Sequence, residues 1–180
     1  MRGKHIIYSK NIFVTFVEGV MPVYRVCAIK EGMEGEDLFP TYGFMYFLED
    51  MFLSLKMWNK GYKSIVIPTV CGEHFRQTTI RKYKKNVCLN YYIYKNIIAL
   101  LKMTNCRRIM KILKYLVFIR RAVLSRLNKE TRKEIILGIF NGIKLGRKLR
   151  RTYGVIDLWK APIYKVEIGK VIKQIIPRIP

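Results

Sequence analysis

The chain has 180 residues, of which 51% are hydrophobic, and it carries a formal net charge of +23. This length and this hydrophobic content are enough for one domain with a real core, which excludes a disordered tail. The sequence has no run of about 18 uncharged apolar residues, so we expect no membrane-spanning helix. No apolar segment of signal-peptide length follows Met1, and we expect a cytoplasmic chain.

The net charge lies entirely in the second part of the chain. Residues 1–75 contain eight Lys/Arg and eight Asp/Glu, whereas residues 76–180 contain 27 basic and four acidic residues. A basic block favours a polyanion, either an anionic membrane surface or nucleic acid. Long aliphatic runs, rather than aromatic residues that stack on bases, separate these basic residues, so the pattern favours the membrane surface over nucleic acid.

The first part of the chain predicts a strand, a glycine and a second short element. The residues from Ile12 to Val17 are β-branched and aromatic, which predicts a buried strand that ends near Gly19. The segment 24–30 that follows is too short and mixed to distinguish a helix from a strand. The residues alone also fit a simple role for Gly19, which is to end the strand.

The segment 48–74 has the most informative pattern. Glu49 and Asp50 open an amphipathic helix whose apolar positions include Phe52 and Leu55, and Gly61 can take the left-handed conformation that ends a helix. The predicted helix runs from about residue 49 to residue 60, with Tyr62 folding back toward Met57. A short strand (65–67) and His74 follow. Two acids at a helix start are also ordinary N-terminal capping, and a lone histidine is often structural.

The second half of the sequence predicts helices. Apolar residues recur at helical spacing over 86–104 and over 107–127, and a third helix begins with a capping box at Thr131–Glu134 and reaches about residue 151. Gly138, Gly142 and Gly146 fall four apart on that helix and predict a groove for a second helix backbone. We interpret 153–180 as a tail.

The segment 48–74 resembles the second half of the catalytic domain of inverting family 2 glycosyltransferases, which have the GT-A fold. Glu49-Asp50, Leu53-Ser54-Leu55-Lys56, Gly61-Tyr62, Val66-Ile67-Pro68 and His74 follow that family's order and spacing. The resemblance extends from about Phe13 to Lys102. It implies an α/β fold, a partial GT-A (Rossmann-like) half-domain with few strands, followed by a mainly helical C-terminal region.

The resemblance also implies roles for individual residues. Asp50 would be the base that takes the proton of the acceptor hydroxyl. Glu49 is the second candidate for that base and would otherwise orient the site. His74 would bind the divalent cation, Mg²⁺ or Mn²⁺, on the donor diphosphate. Gly19 and Trp58 would meet the acceptor, with Gly19 in a turn that precedes a short helix. The phosphate oxygens would be held by Arg76, Arg81 and Lys82.

Three departures limit the activity that we expect. No Asp-x-Asp metal motif occurs, Phe52 stands where the family often has an acidic residue, and Gln77–Arg81 lacks the tryptophan of processive synthases. We therefore expect a split or truncated, membrane-associated, metal-dependent enzyme that is inactive until another chain supplies the donor-binding half. Its substrates would be a nucleotide sugar and a glycan or lipid-linked acceptor.

The predicted domain organisation has three parts. Residues 1–85 form the acceptor-side part of the GT-A domain, 86–152 form a basic amphipathic helical region, and 153–180 form the tail. The helical region would place the protein at the inner face of the membrane as a peripheral protein. The alternative is a non-catalytic basic module that binds an anionic membrane surface or nucleic acid.

Overall fold

The computed structural model describes residues 11–17, 22–32, 44, 48–67, 69, 88–124 and 128–162. Within these residues the protein is mainly helical and has one small sheet of two strands. Its elements in chain order are β1 (Ile12–Phe13), α1 (Val26–Gly32), α2 (Glu49–Asn59), β2 (Ile65–Val66), α3 (Leu89–Met103), α4 (Arg108–Leu124), α5 (Lys129–Tyr153) and a 3-10 helix (Leu158–Lys160).

The sheet pairs β1 with β2 in an antiparallel register. Ile12 lies opposite Val66 and Phe13 lies opposite Ile65, and the amide of Val14 adds one hydrogen bond to the carbonyl of Ser64 at 3.0 Å. The strand is shorter and less buried than predicted, since 57% of Phe13 is exposed. The prediction of a buried strand was wrong because hydrophobic content alone does not show whether both faces of a strand are covered.

Helix α2 lies at the centre of the larger hydrophobic core. Its residues from Phe52 to Met57 are all buried, including the polar Ser54 and the charged Lys56. The prediction of one apolar and one polar face was therefore wrong for this helix. Lys56 is buried because its ammonium Nζ donates a hydrogen bond to the carbonyl of Tyr153 at 2.9 Å, which satisfies an acceptor at the end of α5.

The end of α2 confirms the predicted glycine stop. Gly61 has a φ of +90°, the amide of Tyr62 donates to the carbonyl of Met57 at 3.0 Å, and the amide of Gly61 donates to the carbonyl of Trp58 at 3.1 Å. These two hydrogen bonds define a Schellman motif. The motif turns the chain directly from α2 into β2.

Helices α3 and α5 pack backbone to backbone along the glycine stripe, as the spacing of the glycines predicts. A Cβ atom added to Gly138, Gly142 or Gly146 would come within 2.7, 2.5 or 2.6 Å of a backbone oxygen of α3. Real Cβ atoms do not approach this closely, so only glycine permits the observed distance between the two helices.

Helix α5 begins earlier than predicted. Asn128 is its N-cap, and the side-chain Oδ1 of Asn128 accepts a hydrogen bond from the amide of Thr131 at 2.8 Å. The predicted capping box, which assigned Thr131 as the cap, was therefore wrong. Asparagine is as good a cap as threonine and lies three residues upstream, so the helix gains almost one further turn.

The segment after α5 packs against both α2 and α3. Ile156 is 1% exposed, its amide donates to the carbonyl of Met103 at 3.0 Å, and its carbonyl accepts from the amide of Asn105 at 3.0 Å. The predicted tail thus begins with residues, up to 162, that belong to the core. Its part from 163 to 180 lies outside the described residues, and the predicted domain boundaries stay predictions.

None of the helices in the described ranges combines the length and the apolarity that crossing a bilayer requires.

Candidate functional site

The acidic pair follows a strained residue at the start of α2. Leu48, the N-cap, has φ 69° and ψ 6°, which is the left-handed conformation, and its side chain makes no capping hydrogen bond. This conformation costs a non-glycine residue roughly 1–3 kcal/mol, and such strain persists where the surroundings enforce it. The left-handed conformation of Leu48 sets the direction in which the chain enters α2.

The two carboxylates occupy the first turn of α2. Asp50 is half-buried, and its Oδ1 accepts a hydrogen bond from the amide of Met51 at 2.7 Å. Glu49 is exposed along much of its side chain, yet desolvation raises the pKa of its carboxyl group. The charge of Asp50 adds to this rise, and a hydrogen bond with the backbone of Glu49 opposes it. The positive end of the helix dipole favours an anion at this position.

Tyr24 is a third polar group at this site, and the sequence did not reveal it. Burial raises the pKa of the Tyr24 phenol, and the negative charges of Asp50 and Glu49 raise it further. The phenol therefore lies within electrostatic range of both carboxylates and stays protonated at neutral pH. Tyr24 comes from the segment before α1, 26 residues away from Asp50 along the chain, so no spacing rule could have paired them.

An aromatic cluster packs around Phe52, two residues after the acidic pair. Phe44 stacks on Phe52, with ring centroids 5.2 Å apart, and Phe52 meets Tyr153 edge-on at 5.9 Å. Phe44 and Phe52 are each 2% exposed. The cluster anchors the first turn of α2 against the end of α5, so the carboxylates project from a rigid element.

Trp58 lies two turns of α2 away from the acidic pair. Its indole Nε1 donates a hydrogen bond to the carbonyl of Val14 at 3.1 Å, and its ring meets that of Phe13 edge-on at 6.3 Å. Trp58 thus holds β1 against α2. The structure does not bring Trp58 to Asp50, and its role in binding the acceptor stays a prediction.

The other predicted site residues lie outside the described residues. These are His74, Gly19, Arg76, Arg81 and Lys82. Among the residues that the structure does describe, no three His, Cys, Asp or Glu side chains are grouped so that they could hold a metal ion. The acidic pair alone supplies two carboxylates, and a divalent cation at this place would need ligands from elsewhere.

Comparison with protein-family models, with curated proteins and with solved structures finds no match to this chain.

The described site has the chemistry of a base next to a proton donor. A carboxylate can accept hydrogen bonds and protons, and the neutral phenol of Tyr24, which lies within electrostatic range of Asp50, can donate a hydrogen bond.

Proposed function

We propose that this chain is the acceptor-side part of an inverting, family 2-like glycosyltransferase with a partial GT-A fold, and that Asp50 is its general base. The observation that carries this proposal is the half-buried Asp50 on the first turn of the buried helix α2, directly after the strained Leu48 and near the phenol of Tyr24. Strained backbone of this kind is concentrated at functional sites.

The order of the elements supports the same proposal. The resemblance implies a strand, a glycine turn, a short helix, the acidic helix with its glycine stop, and a second strand. The described residues contain β1, the seven-residue helix α1, α2 with its stop at Gly61, and β2 in that order. Strand β2, which follows α2, pairs antiparallel with β1, which precedes α1. The pairing therefore brings the two ends of this segment together.

In the proposed reaction the acceptor hydroxyl attacks the anomeric carbon of the donor sugar from the face opposite the diphosphate. The acceptor proton passes to the carboxylate of Asp50, the new glycosidic C–O bond forms, and the bond between the sugar and the nucleotide diphosphate breaks. One displacement inverts the anomeric configuration. Glu49, next to Asp50, orients the site.

The departing diphosphate needs positive charge from outside the acidic pair. A bound Mg²⁺ or Mn²⁺ would stabilise the charge on the diphosphate. In our proposal His74 is a ligand of that ion, the donor-binding half supplies the remaining ligands, and Arg76, Arg81 and Lys82 bind phosphate oxygens. The acceptor is a glycan or a lipid-linked acceptor.

The test combines the chain with a donor-binding partner. The purified chain is mixed with the product of the neighbouring gene, a nucleotide sugar and Mn²⁺, and the transferred sugar is followed together with its anomeric configuration. We expect transfer with inversion from the mixture and none from either protein alone. Transfer that retains the configuration, or that proceeds at the same rate without this chain, would contradict the proposal.

A further inference from the structure

The outer surface of α4 carries a continuous apolar stripe. Five large aliphatic residues of this helix are between 47% and 57% exposed, and we call them the α4 stripe: Ile109, Ile112, Leu116, Ile119 and Val123. Their spacing alternates between three and four residues, which keeps all five on one side of a helix. From end to end the stripe is about 21 Å long, at 1.5 Å of rise per residue.

A separate face of α4 makes the contacts with the rest of the protein. Lys111 donates a hydrogen bond to the carbonyl of Thr104, Phe118 meets Tyr94 edge-on at 5.1 Å, and Ala122 is 2% exposed. Successive residues differ by about 100° around a helix, so the centre of the stripe lies about 120° away from the centre of this packed face. The α4 stripe is therefore additional to the apolar surface that folds the helix onto its neighbours.

The charges on α4 itself are all of one sign. No Asp or Glu occurs between His74 and Lys129, and α4 contains five basic residues among its 17. Arg108 and Arg121 are exposed. A surface that combines an exposed aliphatic stripe with basic side chains is complementary to the boundary between acyl chains and anionic headgroups.

We propose that the α4 stripe is a membrane-docking surface that binds an anionic lipid bilayer. Helix α4 lies in the plane of the headgroup layer, the stripe faces the acyl chains, and the exposed Arg108, which flanks the stripe, extends toward the lipid phosphates. This proposal rests on α4 and its charges and does not depend on glycosyl transfer.

Two other occupants fit the surface less well. A second copy of the chain would bring the arginines of two +23 molecules together, with no carboxylates on α4 to pair them. Nucleic acid would meet the basic residues but would leave the stripe exposed, because aliphatic side chains offer no stacking surface for bases. A bilayer satisfies both the charge and the apolar stripe.

The first experiment is vesicle flotation of the full chain. Wild type and the double variant Leu116→Ser/Ile119→Ser are compared on phosphatidylcholine vesicles with and without phosphatidylglycerol. We expect wild type to float with the anionic vesicles, and the double variant to partition at least about tenfold more weakly, since each removed aliphatic group no longer leaves water. Val23→Ser, at a residue that is 99% exposed outside α4, is the matched control and should bind as wild type does.

The second experiment locates the contact without weakening it. Ile112→Trp places an indole in the α4 stripe, and Val23→Trp places one at the control position. Bromine-labelled lipids should quench the added fluorescence of Ile112→Trp and leave that of Val23→Trp unchanged. Far-UV circular dichroism before lipid is added checks that each variant is folded.

Three outcomes would overturn the proposal. They are equal flotation of wild type and the double variant, equal quenching of the two added tryptophans, and a dimer that forms through the stripe without any binding to vesicles. Strong shifts of nucleic acid at the same salt concentration, with no flotation, would overturn it as well.

Discussion

Lys95 on α3 shows how a single buried charge makes stability depend on pH. It is 8% exposed, and its Nζ lies 4.9 Å from the ring centre of Tyr92 and 5.5 Å from that of Tyr91. Burial lowers the pKa of Lys95 in the folded protein below its usual 10.5. The aromatic rings offset part of the cost of burying the ammonium ion.

The first prediction concerns the pH dependence of this cost. Below the folded pKa of Lys95 the residue is charged in both states, and the folded state bears the full desolvation cost. As the pH rises through that pKa toward 10.5, the folded state loses its proton first and the cost declines. We expect wild type to gain free energy of unfolding relative to Lys95→Met over this window, as measured by urea unfolding. If the difference in free energy of unfolding between wild type and Lys95→Met is the same at every pH, the pKa of Lys95 is not lowered in the folded protein.

At the scale of elements, the packing of α5 on α3 depends on positions where no Cβ fits. The second prediction is that Gly142→Ala destabilises the protein. The added Cβ would lie 2.5 Å from the carbonyl oxygen of Lys95 and 2.8 Å from Cβ of Ile98. Overpacking typically costs about 1–3 kcal/mol, whereas the gain in helix propensity is only about 1 kcal/mol.

We therefore expect a net loss of up to about 2 kcal/mol in the free energy of unfolding of Gly142→Ala. Lys148→Ala on the same helix is the control, because Lys148 is exposed and its substitution should change stability by less than about 0.5 kcal/mol. If Gly142→Ala proves as stable as wild type or more so, the close approach of α3 to α5 is not what the glycines provide.

Elements with local signals could be predicted from the sequence, and elements set by distant contacts could not. The stop of α2 at Gly61 follows from one glycine and its neighbours, and the α3–α5 contact follows from three glycines at one spacing. Leu48 gave no such signal, because leucine rarely adopts the left-handed conformation and only its surroundings enforce it. The buried Lys56 was missed for a related reason, since its acceptor lies 97 residues away.

At the scale of the whole molecule, Asn59 joins α2 to the segment after α5. Its side-chain Nδ2 donates to the carbonyl of Asp157 at 3.1 Å, and its Oδ1 accepts from the amide of Asp157 at 2.8 Å. Asn105 extends the same connection, because its Nδ2 donates to Oδ1 of Asp157. The hydrogen bonds of Asn59 join residues that lie 98 positions apart in the sequence. Sequence patterns do not reveal contacts over such a separation.

The third prediction is that Asn59→Ala releases this segment. We expect faster hydrogen exchange at the amides of residues 155–161 and a loss of about 1–3 kcal/mol in the free energy of unfolding, because two backbone groups lose their partner. Mass spectrometry of the exchanging peptides measures the first effect. Asn90→Ala on α3 is the control and should leave exchange in this segment unchanged. Unchanged exchange in Asn59→Ala would show that other contacts hold the segment.

The whole molecule combines the acidic pair at the start of α2 with the basic helices α3, α4 and α5. The acidic pair, the glycine stop and the short helix α1 are the parts of the proposed site that the sequence indicated and the structure describes. Only the structure revealed Tyr24, because the fold, and not a sequence pattern, places it near Asp50. The predicted roles of His74 and of the three basic residues after it stay predictions.

The fourth prediction concerns Asp50 as the general base of the proposed transfer. In the reconstituted mixture of this chain, the proposed donor-binding partner, nucleotide sugar and acceptor, the rate of transfer is measured for wild type, Asp50→Asn and Glu130→Gln. Glu130, like Asp50, lies in the first turn of its helix, so it controls for the loss of a carboxylate there. We expect Asp50→Asn to lower the rate by about 10²–10⁴-fold and Glu130→Gln to leave it unchanged. Transfer by Asp50→Asn at a rate close to that of wild type would contradict the account.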